Sequence, residues 1–245
     1  MTYCVGLLVD EGLVMIADTR TNAGLDDVST YRKLHVYDRT PGRVMAIATA
    51  GNLSMTQSVL ALLAEGLENP DTGARETLAD VPSLFRAVNL VGRAVRKVRH
   101  EEHEALKAAG VSFSTTLLFG GQIGDGPLGL YMIYAAGNFI ECGPEAPFLQ
   151  IGEHKYGKPI LDRAVTSRTD LPDALKIGLI SMDSTIRSNL GVGLPVDILV
   201  VRRGTPEPVV NRRIEPGEPY FHDLRERWSA ALRQAHMNIP RPPYL

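Results

Sequence analysis

Residues 2–9 and 13–17 are apolar almost throughout and are separated by Asp10, Glu11 and Gly12. This pattern predicts two strands joined by a tight turn and covered on both faces. Two shorter strands follow at 33–37 and 43–50, joined by the turn-forming stretch 38–42 with its Pro41-Gly42 pair. Between 54 and 67 the period changes, with apolar positions at Val59, Leu60, Leu62, Leu63 and Leu67. A second run from 83 to 109 repeats the pattern at Leu84, Phe85, Val88, Val91, Val95 and Val98. Spacings of three and four predict two amphipathic helices, the second with a charged C-terminal half and Ser83 as its N-cap.

Strand patterns return at 113–119, 128–139 and 148–152, with Gly124-Asp125-Gly126-Pro127 turning the first pair. A helix is expected over 170–188, a hairpin over 195–203 and 209–214, and a last helix over 220–237. The three prolines of 240–245 exclude helix there. Antiparallel strands in runs, interrupted by blocks of helix, favour an α+β architecture over alternating βαβ units. The expected fold is a four-layer αββα sandwich, two antiparallel sheets between helix layers, which explains strands that are apolar on both sides. No repeat, low-complexity tract or Ser/Gly linker divides the chain, so residues 1–245 are expected to form a single domain.

Composition narrows the function. Hydrophobic residues are 44% and charged residues 22% of the 245, and 26 basic side chains against 28 acidic ones leave a net charge of −2. That balance gives no electrostatic reason to expect nucleic acid or an anionic membrane as a partner. Cys4 and Cys142 are too few for a disulfide framework and have no metal-ligand spacing. The start lacks a basic n-region, and no stretch supplies the ~18 apolar residues of a membrane span. A cytoplasmic protein without metal or cofactor is the expectation.

Several motifs have plain structural explanations. Gly120-Gly121-Gln122-Ile123-Gly124-Asp125-Gly126 lacks the Lys-Ser/Thr of a phosphate loop and lies between strands. His100-Glu101-Glu102-His103 is not the zinc-protease arrangement and falls on the charged half of a helix. Cys4 sits in an apolar strand as buried filler, and no nucleophile-elbow sequence supports Ser-His-Asp catalysis.

The start of the chain differs. If Met1 is removed, Thr2 carries its hydroxyl and a free α-amine at the head of a strand. An α-amine with a reference pKa of about 7.7 to 8.0 can take the hydroxyl proton directly or through one water. Such a site needs a cation, a group to orient it and backbone N–H groups for an oxyanion. Asp18 at the end of the second strand, Lys33 at the start of the third and Gly51 at the end of the fourth are the candidates.

These residues resemble the proteasome β-subunit family of N-terminal nucleophile hydrolases, and most closely its bacterial Anbu branch. The resemblance runs through Thr2, Ala17-Asp18-Thr19-Arg20, Tyr31-Arg32-Lys33-Leu34, Ala48-Thr49-Ala50-Gly51-Asn52 and Ser181-Met182-Asp183-Ser184, over nearly the whole chain. It implies a proteasome-like fold, Thr2 as nucleophile, an Asp18–Lys33 pair that activates it and Gly51 as oxyanion donor. It also implies that Asp183 and a nearby hydroxyl, from Ser184 or Ser188, anchor the α-amine. Thr21, Tyr31, Thr49 and Leu53 would line the substrate pocket. Peptide or protein is the implied substrate, and a ring or ring-like homo-oligomer the implied assembly. Lys33 lies one residue closer to Thr2 than in most relatives, a difference that a shortened loop through Gly24-Leu25-Asp26-Asp27 absorbs. The family's serine-bearing loop reads Gly152-Glu153-His154 here. A threonine-type peptidase or amidohydrolase is the leading expectation; a small-amide acylase and a proteasome-like assembly subunit without competent catalysis are the alternatives.

Overall fold

The computed structural model describes residues 1–22, 28–70 and 72–244, so the loop 24–27 lies outside the described residues. In chain order the elements are β1 (Tyr3–Val9), β2 (Gly12–Asp18), β3 (Arg20–Asn22), β4 (Val28–Thr30), β5 (Leu34–Tyr37), β6 (Arg43–Gly51), α1 (Leu53–Glu65), β7 (Leu67–Glu68), β8 (Arg75–Glu76), α2 (Leu84–Glu101) and α3 (His103–Ala108). They continue with β9 (Thr115–Ile123), β10 (Gly129–Ile133), β11 (Phe139–Glu141), β12 (Phe148–Gly152), α4 (Lys158–Ala164), α5 (Leu171–Ser188), β13 (Val196–Arg202), β14 (Pro208–Ile214) and α6 (Pro219–Asn238).

Two five-stranded sheets dominate, in the orders β12-β1-β2-β13-β14 and β11-β10-β9-β6-β5. Every pairing in them is antiparallel. Strand β2 shows how the apolar runs are used. Because side chains alternate across a strand, Leu13, Met15 and Ala17 join a core shared with Val44, Ala46, Ala48 and Leu118 of the other sheet. Val14 and Ile16 join a second core with Leu161, Ala174, Met182 and Phe221 from α4, α5 and α6. A third core packs α1 and α2, through Val59, Leu63, Val88, Val91 and Val95, on Ile47, Leu117, Phe119 and Ile133. The result is a mixed α/β fold of antiparallel sheets with six helices among the described residues. No described helix is long and apolar enough to cross a membrane.

Two expected elements are divided. The run 128–139 is not one strand: the backbone reverses after β10, with the Gly137 N–H on the Tyr134 carbonyl, before β11 begins. The run 83–109 is two helices that meet at Glu102. α3 has no buried residue, and its Leu106 is only partly buried against the α1–α2 core, which gives it little packing to hold it in line with α2. Ser83 does cap α2, its hydroxyl accepting the Arg86 N–H at 3.3 Å.

Candidate active site

Asp18 ends β2 next to Tyr3 of β1 and opposite Val196 of β13, where three strands close around its side chain. The residue is fully buried. Oδ1 accepts the Tyr3 N–H at 3.0 Å and the Lys33 ammonium at 2.8 Å. Oδ2 accepts N–H groups of Arg20 at 3.2 Å and Gly193 at 3.4 Å. Burial pushes the Asp18 carboxyl up, while the Lys33 ammonium and the N–H groups of Tyr3 and Gly193 pull it the other way. The four donors offset part of the desolvation of a carboxylate that has lost all contact with water, and burial remains the larger effect.

Lys33 immediately precedes β5. Its carbonyl takes the Thr49 N–H at 3.0 Å, which ties the backbone to β6. Its side chain is 5% exposed. An ammonium has three protons, and here they go to Asp18 Oδ1, to the Arg20 carbonyl at 2.6 Å and to the Met1 carbonyl at 3.3 Å. The last acceptor belongs to the Met1–Thr2 peptide bond, so the buried cation addresses the linkage ahead of Thr2.

Thr2 is held by the other neighbour of β1. Its carbonyl accepts the Glu153 N–H at 2.7 Å. Gly152, the last residue of β12, has φ +82°, and a Cβ there would lie 2.0 Å from the Thr2 carbonyl oxygen. Only glycine lets the strand close on Thr2. Thr2 faces a cleft of about 840 Å³, whose walls include Thr21, Tyr31, Lys33, Thr49, Gly51 and Leu53. Gly51 leaves β6 at φ +115°, where a Cβ would meet the Ser114 carbonyl oxygen at 2.3 Å. Asn52 then caps α1 by accepting the Ser54 N–H at 3.0 Å. The four expected pocket residues thus share one cleft with Thr2, Lys33 and Gly51, and Asp18 lies beneath it.

No family model matches the chain, and no curated protein does. Solved structures do match it. The chain is 43% identical to the Pseudomonas aeruginosa protein in a helical assembly of the Anbu complex, over 99% of this chain and 98% of that one, with a TM-score of 0.90. It is 42% identical to an Anbu (Gly-1) mutant from Hyphomicrobium sp. strain MC1, over 99% of both chains, with a TM-score of 0.89. The chain belongs to the Anbu family. Anbu from Yersinia bercovieri, described as an ancestral beta-subunit, is 39% identical over 99% of this chain and 100% of that one, with a TM-score of 0.89.

Two expected residues of this Anbu chain stand apart from the cleft. Neither Asp183 nor Ser184 lines it. Asp183, in α5, accepts a hydrogen bond at 2.5 Å from Nε of Arg225 in α6. The residue of that motif that reaches β1 is Ser181, whose hydroxyl meets the Tyr3 hydroxyl at 2.6 Å. Positions two apart on a helix lie on nearly opposite faces, so Ser181 and Asp183 cannot serve the same neighbour. Gln150 donates to the same Tyr3 oxygen at 2.5 Å, and burial pushes the phenol up to about 12. Burial likewise raises the Cys4 thiol, consistent with its place in the core between the sheets.

Two polar residues were not among the expected site residues: Glu153, whose N–H meets the Thr2 carbonyl, and Asn189, whose carboxamide donates to Glu153. Glu153 lines the cleft. The register of β1 with β12, Tyr3 opposite Gly152, brings it there, and no local spacing in the sequence carries that pairing.

Proposed function

We propose that this chain is a threonine-type peptidase or amidohydrolase whose nucleophile is the Thr2 hydroxyl after Met1 is removed. The observation that carries the reading is the Lys33 ammonium, buried, held by Asp18, and spending one of its three hydrogen bonds on the carbonyl that joins Met1 to Thr2. Loss of Met1 removes that acceptor and leaves a cation beside the new terminus. A buried cation favours the alkoxide character that develops on the Thr2 oxygen.

In the proposed cycle the α-amine takes the hydroxyl proton, directly or through one water, and the Thr2 oxygen attacks the substrate carbonyl. The oxyanion draws on the Gly51 N–H. Collapse breaks the C–N bond, the departing amine takes the proton, and an ester to Thr2 remains. Water then adds to the ester, with the α-amine again receiving a proton, and the acid product leaves. None of Thr21, Tyr31, Thr49 and Leu53 is an acidic carboxylate or a basic side chain, which supports a neutral, small or apolar side chain ahead of the cleaved bond.

Three cores, one of them between the sheets, support a single four-layer αββα domain over 1–245. The helical assembly of the Pseudomonas aeruginosa relative supports oligomerisation; a homo-oligomer in a ring or ring-like stack is the form proposed. Two free cysteines are compatible with a cytoplasmic setting. The placement of Asp183 on Arg225 favours a second reading, an assembly subunit without competent catalysis, because the expected amine anchor is spent elsewhere.

Intact mass with and without a threonine-directed β-lactone separates the two. A chain beginning at Thr2 that gains one adduct, lost in Thr2→Ala, supports the hydrolase. Retained Met1, or equal labelling of Thr2→Ala, moves the assignment to the assembly subunit.

A further inference from the structure

The cleft holds an enclosed carboxylate that the cycle above does not use. The Glu153 side chain is 8% exposed, and a carboxylate so enclosed is costly unless donors satisfy it. Its described contacts are slight for that burial. Oε2 accepts from the Asn189 carboxamide at 3.2 Å, and Oε1 lies 3.9 Å from the ammonium of Lys155, a side chain 73% exposed. Capacity to accept from a further cation remains.

Its position says which cation. Tyr3 with Gly152 is the last pair of β1 and β12, and just beyond it the Glu153 N–H donates to the Thr2 carbonyl at 2.7 Å, which fixes the Glu153 backbone against Thr2. Asn189 is oriented in turn, because its Oδ1 accepts the Gly191 N–H at 2.9 Å and so turns its amide donors toward Glu153. Met1 lies close by: a Cβ at Gly191 would sit 2.6 Å from the Met1 Cβ and 3.1 Å from the Asn189 Oδ1. Removing Met1 therefore creates an α-amine on Thr2, the residue whose carbonyl the Glu153 N–H holds, in the cleft that Glu153 lines.

We infer that Glu153, oriented by Asn189, is the positioning residue that holds the Thr2 α-amine once Met1 is gone, in place of Asp183. This rests on the Thr2 reading only for its catalytic consequence. The other titratable and charged groups lining the cleft beside the amine are Lys33, paired with Asp18, and the exposed His154 and Lys155 beside Glu153; the Arg20 guanidinium is turned to the Leu190 carbonyl. A carboxylate anchor favours the protonated amine, and Lys33 opposes it. The amine must lose its proton before it can accept the one from the hydroxyl. Reaction at Thr2 should thus rise with pH further into the alkaline range than with a neutral anchor.

The test uses the full chain, produced to begin at Thr2 by cleavage of a leader, with Glu153→Gln and Asn189→Ala variants. The α-amine is titrated by NMR after reductive 13C-methylation, and β-lactone labelling is followed against pH. In Glu153→Gln the amine midpoint should fall by roughly one pH unit, with a smaller fall in Asn189→Ala, and the acid limb of labelling should move with it. An unchanged midpoint in both variants overturns the inference, and Asn189→Ala decides alone if Glu153→Gln does not fold. A falling midpoint with no labelling in any variant upholds the anchor and sinks the hydrolase reading instead.

Discussion

Two buried acid–base pairs invite comparison. Asp18–Lys33 joins strand ends at 2.8 Å, with side chains 0% and 5% exposed. Asp183–Arg225 joins α5 to α6 at 2.5 Å, with the guanidinium 31% exposed. Both set a cation on a buried carboxylate, and burial of the acid alone does not distinguish the chemical one. The difference lies in where the cation's other donors go. Lys33 turns one toward the carbonyl ahead of Thr2 in a cleft, whereas Arg225 lies against the ring of Phe221 one turn back on its own helix. A buried pair becomes a candidate site when it borders space that a substrate can enter, and serves packing when it does not.

The comparison breaks most sharply at Lys33. In a chain beginning at Thr2, Lys33→Ala should slow β-lactone labelling by about 10³-fold, the scale of a lost electrostatic stabiliser of developing negative charge. Arg225→Ala should label within a few-fold of the unaltered chain. Equal losses in the two variants would mean the pairs differ only in location. Stability should separate them next. Asp18→Ala strands the Lys33 ammonium and several N–H groups in the interior and should cost about 3–5 kcal/mol, read from urea midpoints. Arg225→Ala should cost less, about 1–3 kcal/mol, because part of that guanidinium already meets water. The smallest effect is expected at Tyr3, which touches both regions through Asp18 and Ser181. Tyr3→Phe should cost about 1 kcal/mol for the lost hydroxyl contacts and leave labelling unchanged. A large loss of labelling there would couple α5 to the cleft.

The legible part of the molecule was the part governed by local pattern. The β1–β2 turn, the cap at Ser83 and the positions of Asp18 and Gly51 at strand ends all follow from spacing and turn chemistry, and the structure places them accordingly. Strands of two or three residues, β3, β4, β7, β8 and β11, are too short to display a period. The apolar content of 128–139 hid a reversal, and the continuing period past Val98 hid a break at Glu102, because pattern reports which faces are apolar and not whether anything packs on them.

Asp183 and Glu153 mark the sharper limit. From the residues themselves, the chain dictates its alternating strands, its amphipathic helices and a threonine at the head of the first strand, since all of these are short-range matters of sterics and polarity. Which acidic residue stands in the cleft beside Thr2 was decided by the packing of α5 on α6 and by the pairing of Tyr3 with Gly152, 149 positions apart. Charge and spacing in the sequence are the same whichever way a helix face turns. Only the assembled sheets and helices choose a direction, and with it whether an acid braces the core or waits at the cleft.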